Sequence, residues 1–444
     1  MRRNKKLHRP VFHHCVRIAI ALALAWAGPA FCTGPDELKE FLAMKDKAGK
    51  NDVEAQLILG LMYANGQGTT RDEAEAAKWL HKAADQGNHI AQYNLGVSYF
   101  HGRGVAMDRV EAVKWYRKAA DQGNPGAQFN LGLMYFHGQG VPRDESEAVR
   151  CYHKAAEQGP AKLQYNLGMM YAEGQDVTKD QTEAAKWYRK AADQGLVKAQ
   201  SVLGVVYYRG VGVRKDDMEA ARWFRKAAEQ GDGEGQFNLG VMYDRGEGVV
   251  TNEAEAVSWY HKAAVQGYAN AQFTLGGLCA NGRGVTKDDE VALKWYRSAA
   301  DQGSAAAQSS VGSMHALGRG VPKNESEAAK WFGKAAGQGD AEAQFTLATM
   351  YEDGRGLVKD PILAATWYRK AAEQGNIAAQ CNLGVMYLEG RGVTKDDIEA
   401  YRWTHLAALQ ADECARRNLE RLESKLTPEQ KEKARHLAGT LGNR

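Results

Sequence analysis

One 36-residue unit is written ten times between residues 55 and 414, and no insertion or deletion disturbs the count. Gln56, Gln92, Gln128 and Gln164 open a column that continues at the same interval to Gln380. Gly66, Gly102, Gly138 and seven further glycines form a second column, and Trp79, Trp115 and Trp187 through Trp403 a third. A strict period of this length means stacked supersecondary units, none of which buries its apolar face alone. The spacing therefore predicts a solenoid and overrides the two or three globular domains that 444 residues would otherwise suggest.

Charge has to be read in two parts. The 58 basic and 54 acidic residues give a formal net charge of +4. Six of the basic residues (Arg2, Arg3, Lys5, Lys6, Arg9, Arg17) and no acid fall within residues 1–30, which leaves 52 against 54 and a net charge of −2. That remainder has no global electrostatic reason to bind nucleic acid or an anionic membrane. Residues 1–30 have the order of a signal peptide: a basic stretch, the apolar run Ile18 to Ala27, then small residues at Gly28 and Ala30. The run is about half the ~20 residues that span a bilayer. The expectation is export to the cell envelope, the periplasm or the medium, with no integral membrane segment after cleavage.

Of the six cysteines, Cys15 and Cys32 lie at the N-terminus, while Cys151, Cys279 and Cys381 stand in columns otherwise occupied by Trp, Tyr and aromatic residues. Their irregular spacing, completed by Cys414, reads as small apolar substitution in a core; a Cys381–Cys414 bridge remains an open alternative.

Within a copy, the residues around position 90 show how the unit is built. Gln92, Leu95, Gly96 and Tyr99 share one face of a first helix that Gly102 and Gly104 end. A second helix follows Asp108 and carries Ala112, Trp115, Ala119 and Ala120 on its inner face. The column of Asp108 is Asp or Asn in every copy and that of Glu111 is Glu in eight, the signature of a capping box. Alanine in all ten copies at three second-helix positions lets neighbouring helices approach closely. A helix over Asp36–Lys47 is expected to cap the first copy within an N-terminal region 31–54, and residues 415–444 to cap the last, with a final helix opening at Thr427-Pro428.

The recurrent pattern Ala-Gln-x-x-Leu-Gly-x-x-Tyr, Gly-x-Gly-Val, Asp-x-x-Glu-Ala and Trp-Tyr-x-Lys-Ala-Ala-x-Gln-Gly resembles the Sel-one-like repeat, a relative of the tetratricopeptide repeat. It covers about four-fifths of the chain. The resemblance implies an all-α fold, an α/α superhelical solenoid of ten helix pairs whose first helices line the concave side. It also implies a scaffold or adaptor for proteins, a role in which bacterial members are often secreted or envelope-associated. Some cysteine-rich relatives have been proposed as β-lactam hydrolases, so a cell-wall glycan or peptide ligand, with hydrolysis of a β-lactam-like amide, is the second reading. The chain has neither the regular cysteine pairs of that subgroup nor a Ser-x-x-Lys or Gly-x-Ser-x-Gly nucleophile signature. Its Gly-x-Gly motifs lack the preceding strand of a phosphate loop. No catalytic residue, metal ligand or cofactor is expected.

The candidate binding residues lie on first helices. Asn94, Asn130, Asn166, Asn238 and Asn382 form one column, followed in Asn418. Seven residues on, nearly the same face carries His101, His137, Glu173, Arg209, Arg245, Asn281, Leu317, Asp353 and Glu389. Amides beside a charge gradient suit the backbone of an extended peptide. His101, His137, Arg209 and Arg245 supply the basic end, and Phe100, Phe136 and Tyr208 in an adjacent column suit a sugar. The competing reading of the Asn column is that it holds the stack together. Three further expectations concern the frame. The His81/Arg117/His153 column and the Lys82/Lys118/Lys154 column are read as solvated stripes. Gly277, Cys279, Ser309, Ser310, Val311, Ser313 and His315 predict a locally weaker joint in copies seven and eight. Asp176 and Cys151 are read as isolated defects.

Overall fold

The computed structural model describes residues 35–410 and 413–439. The signal-peptide reading, Cys15 and Cys32 lie outside them, as does the side chain of Cys414. Helices occupy nearly all of what is described, joined by short turns. The chain divides into two units, Met1–Asp216 and Asp217–Arg444, with copy five split between them.

Within unit 1 the copies follow one plan. The first helices are Val53–Asn65, His89–His101, Pro125–His137, Ala161–Glu173 and Val197–Arg209. Each ends on a glycine in the left-handed region, such as Gly102 at φ 70°, where a side chain would be strained. Second helices begin at Glu73, Arg109, Glu145 and Gln181, each behind an aspartate whose carboxylate accepts from first-turn N–H groups. Unit 2 repeats this plan from Asp217–Glu229 to Asp397–Leu409 and adds Glu413–Glu423 and Pro428–Gly439.

Only half of the expected capping box forms in the repeats. Asp108 Oδ1 accepts from the N–H of Val110 and Glu111, but Glu111 turns outward to Lys114 at 2.8 Å, and the N–H of Asp108 donates to the Tyr99 carbonyl. Among the described residues the reciprocal box is seen at the last helix. There Thr427 N–H donates to Gln430 Oε1 and Gln430 N–H to Thr427 Oγ1.

The seam inside a copy is a ring against a bare backbone. A Cβ on Gly96 would lie 2.7 Å from the Tyr116 ring, and Gly132, Gly168, Gly240 and Gly276 face Tyr152, Tyr188, Tyr260 and Tyr296 in the same way. An aromatic residue three positions earlier tilts against that ring, as Phe129 does on Tyr152 at 5.3 Å. Between copies, buried glutamines make the joint. Gln92 Nε2 donates to the carbonyl of Ala84 in the previous copy, and Gln122 Nε2 to Gln92 Oε1. The N-terminal helix Pro35–Gly49 stands where a preceding second helix would be: Ala48 offers its carbonyl to Gln56 at 3.3 Å, and Phe41 packs with Leu59 and Met62.

The joint of copies seven and eight is unbroken, against the expectation of a weak point. Gln302 bonds Gln272, Gln308 bonds the Ala300 carbonyl, and Gln338 bonds Gln308. One buried cluster runs from Ala263 to Trp331, and buried His315 replaces a tyrosine while still meeting Arg297 at 3.2 Å. The smaller side chains trim the seam without severing it.

The plan departs at the end of copy three, although Gln164 Nε2 still donates to the Ala156 carbonyl at 3.0 Å across to copy four. Elsewhere the second helix ends one residue earlier, and an Asn, Leu, Asp, Tyr or Ser two residues past its capping glutamine returns its N–H to the helix, as Asn124 does to the Ala119 carbonyl. Copy three has Pro160 at that place, with no N–H to return. Its helix runs on to Gln158, Gly159 leaves in an extended conformation at φ −90° and ψ 173°, and Gln128 Oε1 is left buried without a partner. Cys151 replaces the wedge Trp in the cluster of copies two and three, and Asp176 takes φ 59° where the column has glycine. We expect amide hydrogens over residues 155–164 to exchange about ten times faster than those over 299–308, ~1.4 kcal/mol of local stability. Pro160→Asn, which returns the donor, should remove most of that difference in a mass-spectrometric exchange series.

Candidate functional site

The first helices present two kinds of surface. Their inner positions keep the Gln column throughout and the Tyr column except at Cys279 and His315; their outer positions differ more from copy to copy. His101, His137 and Arg209 in unit 1 and Arg245 in unit 2 are all exposed, each at the last residue of its helix. His101 lies edge-on against Phe100 at 4.9 Å and His137 against Phe136 at 5.2 Å. Partial burial, then the charge of Arg103, holds the His101 imidazole below its usual pKa.

The Asn column is split by the structure. Asn130 lies near the hydroxyls of Tyr93 and Tyr116, both in the preceding copy, and Asn382 near that of Tyr368, which donates to Glu352 at 2.7 Å. Asn166 is buried, and its amide nitrogen has no partner among the described residues. Asn94 is half-buried and returns its amide to its own helix at the Ile90 carbonyl, 2.8 Å. Asn238 is half-buried. Proximity to a tyrosine hydroxyl is what a stacking role at Asn130 and Asn382 requires. Asn130→Ala is expected to lower stability by about 1 kcal/mol, removing a polar neighbour of the buried Tyr116 hydroxyl. Asn94→Ala should change it by under about 0.5 kcal/mol in the same urea titration.

The second-helix stripes are solvated, with Lys82, Lys118, Lys154 and Arg117 exposed and His81 and His153 half-buried, and they also carry contacts. The ammonium groups of Lys82, Lys118, Lys190, Lys226, Lys262, Lys334 and Lys370 sit 3.6–4.0 Å from the ring centres of the Trp residues three positions before them. The His/Arg column ties copies together: Arg117 donates to the Tyr135 hydroxyl at 2.9 Å, His153 meets that of Tyr171 at 2.7 Å, and Arg189 reaches Tyr207. Exchange of His with Arg is explained by this shared contact with a tyrosine hydroxyl of the next copy. The aligned spacing of 18 residues was the available signal.

The rings that suit sugar stacking are covered. Arg109 lies over Phe100 at 5.8 Å, Arg143 over Phe136 at 5.3 Å and Lys215 over Tyr208 at 5.5 Å. Burial raises the Cys151 thiol to about 11 and also raises that of Cys279, so neither is poised as a thiolate. Among the described residues no group of three or more His, Cys, Asp or Glu side chains converges to hold a metal ion. No helix among them is long and apolar enough to cross a membrane.

Comparison with known proteins agrees with this frame. The Sel1 repeat family model matches ten consecutive segments, residues 53–88, 89–124 and onward to 377–412. A crystal structure of a Sel1 repeat protein from Oxalobacter formigenes is 36% identical, covers 70% of this chain and 90% of its own, and superposes with a TM-score of 0.59. A protective antigen of uropathogenic Escherichia coli with an SLR fold is 38% identical over 90% of this chain and 94% of its own, with a TM-score of 0.47. No curated protein matches the chain. The chain belongs to the Sel1-repeat family, an all-α solenoid class whose members are generally non-enzymatic scaffolds for protein–protein interaction.

Proposed function

We propose that this chain is an adaptor of the cell envelope or the secreted medium, and that it grips a protein or peptide on the outer face of its first helices. The observation that carries the reading is the division of labour within each repeat. Gln, Gly, Tyr and Trp columns are spent inside the stack, whereas the helix-end column changes from His101 and His137 to Arg209, Arg245, Asp353 and Glu389. A frame that varies more on its outside than within is suited to recognition, and a repeat fold by itself names no ligand. Cations over Phe100, Phe136 and Tyr208 support a peptide in preference to a stacked glycan. Export rests on the basic and apolar order of residues 1–30.

A photo-crosslinking amino acid at His137 or Arg209 tests the site in cells that express the full chain. It should trap a discrete protein adduct that the same probe at Lys186, on an exposed second-helix face, does not. Equal trapping at both places would remove the first-helix face from consideration. In the same cells, N-terminal sequencing of the fractionated protein should begin after Ala30.

A further inference from the structure

Copy two reverses the sign of charge at a place where the other copies are acidic or, at Gln181 and Pro361, uncharged. The first residue of the second helix is Glu73, Glu145, Asp217, Glu253, Asp289, Glu325 or Asp397 in seven copies, and an acid there complements the helix dipole. In copy two it is Arg109, an exposed cation at the positive end of a helix. Its guanidinium has no carboxylate partner among the described residues and rests over Phe100.

The loop arginine of the same copy is also unmatched. In unit 2 the equivalent residues are all paired: Arg283 with Asp244, Arg319 with Asp289, Arg355 with Asp353, and Arg391 with Glu352 and Glu389. For Arg103 the corresponding positions hold Ala64 and His101, and the remaining one, Glu73, is taken by Arg71. Arg103 thus has no ion pair among the described residues. Copy three closes the patch. A Cβ on Gly140 would come within 2.3 Å of the Arg109 carbonyl, so the loop that follows His137 lies directly against Arg109. Two Phe–His pairs therefore flank two uncompensated guanidinium groups.

We propose that Phe100, His101, Arg103, Arg109, Phe136 and His137 form a docking patch for an acidic, aromatic-bearing segment of a protein partner. This inference rests on the first-helix face being the binding face and names the chemistry it selects. Carboxylates of the segment neutralise Arg103 and Arg109, supplying the charge that other copies supply from within. An apolar side chain of the segment packs beside the Phe rings. Nucleic acid is the less suitable polyanion, since the chain beyond residue 30 is net acidic and the patch is confined to two copies.

The test is fluorescence anisotropy with the full chain and a labelled peptide of sequence EEFEEFEE, beside KKFKKFKK and a twelve-nucleotide single-stranded DNA. The acidic peptide should bind, and at least tenfold more tightly than either control. Affinity should fall at least tenfold in R103E/R109E and by a smaller factor in R103Q/R109Q. It should be unchanged in the charge-matched control R222E/K294E, with melting temperatures confirming that all variants fold. Binding of the acidic peptide that ignores the Arg103 and Arg109 changes, or stronger binding of DNA, overturns the proposal. If the acidic peptide does not bind while a His137 crosslink still traps a protein, the acidic chemistry is wrong and the adaptor reading stands; loss of both removes the two together.

Discussion

Gly104→Ala is expected to be among the most damaging single-methyl changes in the chain, at about 3–4 kcal/mol. The residue sits at φ 67°, and an added Cβ would lie 1.8 Å from the Glu73 carbonyl oxygen of the previous copy. The left-handed conformation alone costs an alanine about 1–2 kcal/mol. The rest comes from forcing two backbones apart, and backbone, unlike the end of a flexible side chain, cannot turn aside. Gly87→Ala separates the two contributions, because Gly87 has φ 92° but nothing within 4 Å of the new methyl. That variant should lose only the conformational part. Urea unfolding followed by circular dichroism measures both, and equal losses would show that the contact with Glu73 is unimportant. Seven other glycines of this column stand over the preceding copy in the same way, with Gly212 2.0 Å from the Gln181 carbonyl, and Gly68 stands over Glu37 of the N-terminal helix, so the result extends along each unit.

Trp115→Ala should cost about 3–5 kcal/mol. The ring is 4% exposed and packs with Leu80, Leu95 and Ala91. Unlike an ordinary core residue it also carries partners on two sides: Lys118 Nζ lies 3.9 Å from the ring centre, and the His81 ring meets it edge-on at 5.3 Å. Lys118→Ala should therefore cost only about 0.5–1 kcal/mol, as expected of a cation–π contact at a partly solvated site. If Lys118→Ala matched Trp115→Ala in the urea titration, the ring would be acting mainly as a platform for charge and not as a wedge. Because each copy leans only on its neighbours, the loss should appear first as faster exchange in copies one to three.

Periodicity made the fold legible, and it did so for a physical reason. Gln92, Leu95, Gly96 and Tyr99 lie on one helical face only at their observed spacing, and glycines at 102 and 104 allow only a short turn before the next helix. The end caps were legible too, from Thr427-Pro428 and from the amphipathic helix over Asp36–Lys47. Partner choice was not. The Asn column could face a groove or a neighbouring tyrosine, and only the position of the Tyr116 hydroxyl decides for Asn130. Lys118 is exposed as its polarity suggests, but the ring it covers one turn away is indistinguishable in sequence from an ordinary i, i+3 neighbour. The misplaced weak joint is instructive. Small side chains in copies seven and eight drew attention, yet shortening a side chain leaves the main-chain and Gln bonds standing. One proline at 160 removes a donor that no neighbour can replace.

The glutamine joints have a consequence for how such a chain changes over generations. In unit 2 every bond of this kind spans a constant sequence interval to one adjacent copy: Gln236, Gln272, Gln308, Gln344 and Gln380 each reach an alanine carbonyl eight residues before them. Excising residues 269–304 would bring Gln308 to the Ala264 carbonyl and leave no joint unmade. Unequal recombination within a gene for such a protein can therefore lengthen or shorten it by whole copies without inventing an interface. Each event would move the outer residues of one copy past those of the next, so that reach and spacing vary before any single residue does.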